Sequence, residues 1–373
     1  MGLEPFYDNG EKKQKIGKKA DIMVEERIVY LDYLKAMAIV AVVIVHVATE
    51  WIDADLPMGI LLIYETMFGI SRFCVPIFFM VTGALLLGRK DIDSVKCVFL
   101  HRILVVLIPA FWYGMLYKIL RMIIGHTWSQ VSLLAFLKQY MIEFVTGKME
   151  FHFWYVYAVI GVYLTVPILQ TFVKNAERKT LEYFLALWFF VNSLYLLGVS
   201  GYGISIWNMF NQYHFVGMFV GYMGYTIWGY YLARYELSRK SQIIIQVTGS
   251  VSMLGAILMT VWDMKMYGTF RVEYLSSCSP AIILFSGMVF YWAKNHVFHI
   301  GQTGMKWLSY MGANTLGVYF IHMVFIIVLI QSGWFEHHFI AGVDVMIYSG
   351  ITLALSWGCT YVMHKIPLLG KWV

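Results

Sequence analysis

Charge is what this chain lacks. Asp, Glu, Lys and Arg make up 13% of its 373 residues, against about 25% in an ordinary soluble domain. Hydrophobic residues fill 60% instead, and the mean hydropathy is +0.67. So little charge leaves no polar coat for a water-facing surface, and an integral membrane protein is expected. Cysteine is scarce too. Cys74, Cys97, Cys278 and Cys359 are scattered in or beside apolar runs with no CxxC pair, which argues against a disulfide framework and against a metal site of the zinc type. No Pro/Gly-rich linker, composition shift or internal repeat divides the chain, so one membrane domain is expected over residues 28–373. Nucleic acid is not an expected partner despite a pI near 8.9, because the basic residues sit in short hydrophilic gaps and form no basic face.

Crossing a bilayer takes about 20 mostly apolar residues. On that criterion ten helices are expected: 29–52, 59–88, 97–122, 152–173, 180–199, 213–234, 242–262, 275–294, 312–331 and 343–364. The fold class is therefore all-α and polytopic. Ser71-Arg72 and Pro76 interrupt the second run, which predicts a kink or break there. Residues 128–145 carry apolar side chains at helical spacing among polar ones, the pattern of an amphipathic helix lying at the interface. Residues 1–27 are polar and lysine-rich. The apolar run that follows is too long for a signal-peptide core, so a mobile cytoplasmic tail with no cleavable leader is expected. Alternate loops hold 19 Lys and Arg on one side and 5 on the other. The excess puts both termini in the cytoplasm, as an even number of spans requires.

Lys35, His46, Glu65 and Arg72 lie deep inside the first two spans. Lys35 and His46 are eleven positions apart on the first. At about 100° and 1.5 Å per residue they share one face and stand roughly 16 Å apart along the axis. With the orientation above, Lys35 lies toward the cytoplasm and His46 in the outer half. Buried charges usually face a bundle interior or a wet cavity. The plainer alternative is that Lys35 pairs with Asp32 and His46 bonds to a neighbouring helix. Glu65 lies at a depth close to that of His46, placed either to orient the imidazole or to pair with Arg72. Asn314 and His322 share a face of the ninth span, and His322 falls near mid-membrane. There it serves either as an interhelical hydrogen-bonding group or in chemistry. At the outer end of the fourth span, Trp154, Tyr155 and Tyr157 fit an aromatic belt, while Glu150, His152 and Trp154 would also border any cavity opening outward.

As a set these residues resemble the acyltransferase 3 family of integral-membrane acyltransferases. The basic residue followed by ten positions and His matches that family's first span, with Lys35 where Arg is usual. SRFCVPIFFMVTGALLL (Ser71 to Leu87) is similar to its Arg-x-x-Val-Pro-x-Phe-Phe-x-x-Ser-Gly pattern, with Thr82 in place of Ser. FHFWYVYAVIGVYLTVPIL (Phe151 to Leu169) resembles the fourth-span block of the surface-polysaccharide O-acetyltransferase branch. LSYMGANTLGVYFIH (Leu308 to His322) resembles a late-span block. The resemblance implies a bacterial plasma-membrane enzyme in its stand-alone form. Its donor would be acetyl-CoA or another short acyl-CoA from the cytoplasm, with no metal. Its acceptor would be a surface glycan or a lipid-linked sugar precursor. It assigns catalysis to His46 with Glu65 and His322, donor binding to Lys35, Arg72 and Asn314, and acceptor binding to Glu150, His152 and Trp154. The competing reading is a glycan or small-molecule exporter that uses the same buried polar groups as a proton relay and substrate path. A membrane sensor without chemistry ranks last, since the loops are short and the buried charges would go unexplained.

Overall fold

The computed structural model describes residues 9–52, 57–126, 132–199, 221–268, 272–296, 301–335, 340, 342–366 and 370, with side chains described from Val29 onward except over 195–199. The elements are all helical among the described residues: α1 (Asn9–Ile52), α2 (Met58–Ser71), α3 (Cys74–Leu86), α4 (Val95–Val98), α5 (Leu104–Ile124), α6 (Leu133–Thr146), α7 (Trp154–Asn175), α8 (Arg178–Val199), α9 (Met223–Arg234), α10 (Arg239–Tyr267), α11 (Pro280–Asn295), α12 (Gln302–Ala313), α13 (Thr315–Gln331) and α14 (Val343–His364). A π-helical turn, Phe99–Ile103, fuses α4 to α5, and a 3-10 turn, Phe151–Phe153, leads into α7.

Seven stretches are long and apolar enough to cross a membrane: Val29–Ile52, Met58–Leu86, Val95–Ile124, Phe151–Asn175, Arg239–Tyr267, Val272–Asn295 and Val343–His364. The pair α12 and α13, bent by 73°, makes an eighth if it is one crossing. The bend falls at Asn314, inside the single helix expected over 312–331. The helices expected at 180–199 and 213–234 overlap α8 and α9, but residues 200–220 lie outside the described residues. So do 128–131 of the expected amphipathic segment and 1–8 of the expected tail; over 9–28 the backbone continues α1.

Each local feature has a physical cause. The second span does break, between α2 and α3 at Arg72-Phe73. Pro76 is the third residue of α3, where a backbone N–H has no intrahelical acceptor, so its missing donor costs nothing. Ser132 caps α6 by accepting from the Ala135 N–H at 3.3 Å, and Gly147, at φ 71°, ends that helix. The described part of the segment is thus a helix. It buries Phe136 and Tyr140 and leaves Leu133, Leu134 and Val145 exposed.

Helix α1 is the hub. It touches α2, α3, α11, α12, α13 and α14, and so carries its polar face into the middle of the bundle. Helices α3 and α9 make the closest approach. A Cβ on Gly83 would lie 1.7 Å from the Thr226 carbonyl oxygen, and one on Gly229 would lie 2.0 Å from that of Met80. In a bilayer, helices are held by van der Waals contact and not by a hydrophobic drive, so backbone-to-backbone seams of this kind set the assembly.

Candidate active site

Lys35 pairs with Asp32 at 2.7 Å, as the plainer sequence reading has it, and it also lines a cavity of about 300 Å3. Arg102, His101 and Thr82 share that lining. The widened π turn at Phe99–Ile103 carries His101 and Arg102 there; such turns recur where a helix must present side chains to a site. Arg102 is held by Asp93, Nη2 to Oδ2 at 3.3 Å. The cavity's deep end is formed by Tyr155 and Tyr319, whose rings lie 5.2 Å apart in an edge contact.

Three histidines meet beyond that wall. The His46 ring lies 5.2 Å from that of His322 and 6.2 Å from that of His152, and the latter two are 5.5 Å apart. His152 and His322 are 1% and 0% exposed, while His46 is half-buried. His46 is therefore the most exposed member of the trio. The Nδ1 of His322 lies 2.6 Å from the Tyr319 carbonyl oxygen. A carbonyl only accepts, so Nδ1 carries the proton and Nε2 holds a lone pair. That Nε2, and both nitrogens of His152, have no hydrogen-bond partner among the described residues. Tyr319 donates its hydroxyl to the His152 carbonyl at 2.6 Å, which locks the 3-10 turn onto α13.

An outer cavity of about 310 Å3 approaches the trio from the other side. Tyr117, Lys118, Arg121, Tyr140, Glu143 and Glu150 line it. Arg121 clasps Glu150 with both Nε and Nη2, the latter at 2.7 Å, and Lys118 meets Glu143 at 2.6 Å. Tyr117 closes this cavity edge-on against the His152 ring, 5.2 Å between centroids. Tyr319, at the end of the inner cavity, lies 5.7 Å from the same ring. One tyrosine on each side thus separates a cavity from the histidines.

Several sequence expectations change here. Glu65 neither orients His46 nor pairs with Arg72: it is buried, and among the described residues no hydrogen bond reaches either carboxylate oxygen. Arg72 instead donates Nε to the Leu275 carbonyl at 2.8 Å and lies 5.1 Å from the Phe68 ring centre, though its charge still acts on His46. Asn314 is not beside the histidine trio. It sits at the α12–α13 bend, where Nδ2 donates to Tyr310 at 2.7 Å and Oδ1 meets His364 Nε2 at 2.5 Å. Eight positions place it about 12 Å from His322 along the helix axis. Its neighbours Thr315 and Leu316, not Asn314 itself, line the inner cavity. His152, expected at an outer rim, is buried in the trio. Trp154 stacks on Tyr222 with ring centres 5.5 Å apart. No group of His, Cys, Asp or Glu among the described residues is arranged to hold a metal ion.

A family model described as an acyltransferase domain, that of the acyltransferase 3 family, matches residues 28–361. The chain belongs to the acyltransferase 3 family. Its match begins just before the first apolar span and runs almost to the end of α14, so Lys35, the three histidines and both cavities all fall within the acyltransferase domain. No curated protein and no solved structure matches the chain. Sequence reasoning did not single out Arg102 or Arg121 as site residues. It missed Tyr117 and Tyr319 among the aromatic residues. No local pattern marks them, since only the meeting of α5, α7 and α13 brings them to the histidines.

Proposed function

We propose that this acyltransferase moves an acyl group, acetyl by family default, from acyl-CoA at the Lys35 end to a hydroxyl of a cell-envelope glycan or its lipid-linked precursor at the other end. The observation that carries the reading is the histidine trio, with His46 its half-buried member, between two cavities that each meet the His152 ring through a tyrosine. The thioester arm enters past Lys35 and Arg102 in the inner cavity, and the sugar enters by the outer one. His46 removes the hydroxyl proton as oxygen attacks the thioester carbon. The CoA thiolate leaves, and the proton passes from His46 to it. His322 Nε2, with its lone pair held toward the trio, accepts from the second N–H of the imidazolium that forms on His46, as an orienting partner does in a hydrolase triad. Oxyanion stabilisation then falls to Arg72, since neutral His322 offers no donor at Nε2.

This reading sets the protein in the bacterial plasma membrane with both termini in the cytoplasm, ten crossings, and α6 lying along the outer interface. It belongs to the surface-polysaccharide O-acetyltransferase branch. Replacing His46 by Ala is expected to abolish transfer of labelled acetyl from acetyl-CoA to glycan while the protein still elutes as a single sharp species. Transfer that survives the change removes His46 as base. Two cavities on opposite sides of one histidine layer also suit an exporter. Substrate flux into vesicles without acetyl-CoA would establish that second reading in place of the first.

A further inference from the structure

A third cavity, larger than the two above, lies outside the mechanism. It encloses about 620 Å3 at the same end of the bundle as Lys35, between the middle of α1 and the ends of α3, α7 and α9. Arg89, Lys174 and Arg234 stand around it, and Tyr30, Tyr230 and Tyr235 form its walls. No carboxylate lines it among the described residues. The three cations are exposed, whereas Tyr30 and Tyr230 are 5% and 9% exposed. Charge therefore rims the mouth and aromatic surface forms the floor. Lys174 and Arg234 have no acidic partner within ion-pair distance among the described residues, and Arg89 has only Asp93, at 4.0 Å.

Two contacts join this cavity to the inner cavity of the active site. Leu85 lines both, so they share a wall. Asp93 bridges their cations: one oxygen faces Arg89 at 4.0 Å and the other binds Arg102 at 3.3 Å. Its backbone N–H donates to Gln170 at 2.7 Å, which fixes the bridge to α7. A line of positive charge thus runs from the mouth of the large cavity toward Lys35.

We propose that this cavity binds the phosphorylated nucleotide end of the donor, the adenosine 3′,5′-bisphosphate of acyl-CoA, while the arm passes Leu85 into the inner cavity. The inference rests on the acyl-CoA reading above. Phosphate esters need several cationic donors at close quarters, and a purine needs a flat apolar face, which the tyrosine walls supply. A cation-rimmed cavity without aromatic walls would suit a phospholipid headgroup equally well. The phosphate chemistry is shared between these two sources, and the test separates them.

The full chain is purified into nanodiscs of phosphatidylcholine alone and titrated with adenosine 3′,5′-bisphosphate and with acetyl-CoA by calorimetry. The double variant Lys174→Ala/Arg234→Ala, at exposed positions, is expected to bind both ligands about tenfold more weakly or worse, the effect of losing charge-assisted phosphate contacts. Transfer from acetyl-pantetheine, which lacks the nucleotide, is expected to run equally in variant and parent. Arg234→Glu reads the same loss should the double variant fail to purify. Unchanged bisphosphate affinity in the variants overturns the proposal. A variant that loses only its affinity for added phosphatidylglycerol also overturns it and makes the cavity a lipid site. If acetyl-CoA binds the parent and the variants equally, this site falls alone. If the parent binds no acetyl-CoA, the donor reading falls with it.

Discussion

At the scale of the residue, the buried carboxylate of Glu65 is the instructive case. Depth and helical face placed it to serve His46 or Arg72, and it does neither. Arg72 has found a backbone carbonyl on the segment before α11, a partner that the spacing within one span does not reveal. A carboxylate that orients a catalytic imidazole is worth about 10⁴ in kcat in the serine-protease triad. Glu65→Gln removes the ionisable group and keeps the shape, and no hydrogen bond among the described residues is lost with it. The variant is expected to retain acyl transfer within about threefold of the parent, the small effect typical of a change that breaks no contact. A hundredfold fall would restore the carboxylate to the catalytic set. His322 teaches the complementary point. Its tautomer follows from the Nδ1 bond to Tyr319; its position in the sequence states only that an imidazole is present.

At the scale of the element, hydropathy located the seven stretches long and apolar enough to cross a membrane, and one break followed from known chain stiffness. The Ser71-Arg72 and Pro76 signals foretold the α2–α3 break. The 73° bend at Asn314 had no such signal: neither Pro nor Gly stands at the hinge, and a tertiary contact, Asn314 to His364, holds it. The seam between α3 and α9 yields a direct test. Gly83→Ala forces a methyl onto the Thr226 carbonyl, and overpacking of this kind costs about 1–3 kcal/mol or more. Gly161→Ala, on α7 with nothing within 4 Å of the added Cβ, is the control and is expected to be neutral or slightly stabilising. Thermal unfolding in detergent distinguishes the two. Equal melting temperatures would mean that the seam does not hold α3 against α9.

At the scale of the whole molecule, the arrangement is two chambers on either side of a histidine layer, with Lys35 and Arg102 in one and Arg121 and Glu150 in the other. In the proposed orientation, read from the charge bias of the loops, the Lys35 chamber faces the cytoplasm. Cys97, on α4 beside that chamber and partly accessible, reports on this. In a variant with the other three cysteines replaced by Ala, a membrane-impermeant maleimide is expected to label inside-out vesicles and to leave intact cells unlabelled. The reverse pattern would invert the protein and exchange the donor and acceptor chambers.

The sequence by itself determined the membrane class, the apolar spans, and the sharing of one face by Lys35 and His46. These are properties of a single helix, set by hydropathy and by the fixed rise and turn of the backbone. Tertiary structure alone decided which faces meet. It brought His152 and His322 to His46, withheld Glu65 and Asn314 from them, and drew Arg102 and Arg121 into the two chambers. Helical periodicity states which way a side chain points but carries no information about what lies opposite, and in lipid that is settled by close backbone contacts between helices remote in sequence.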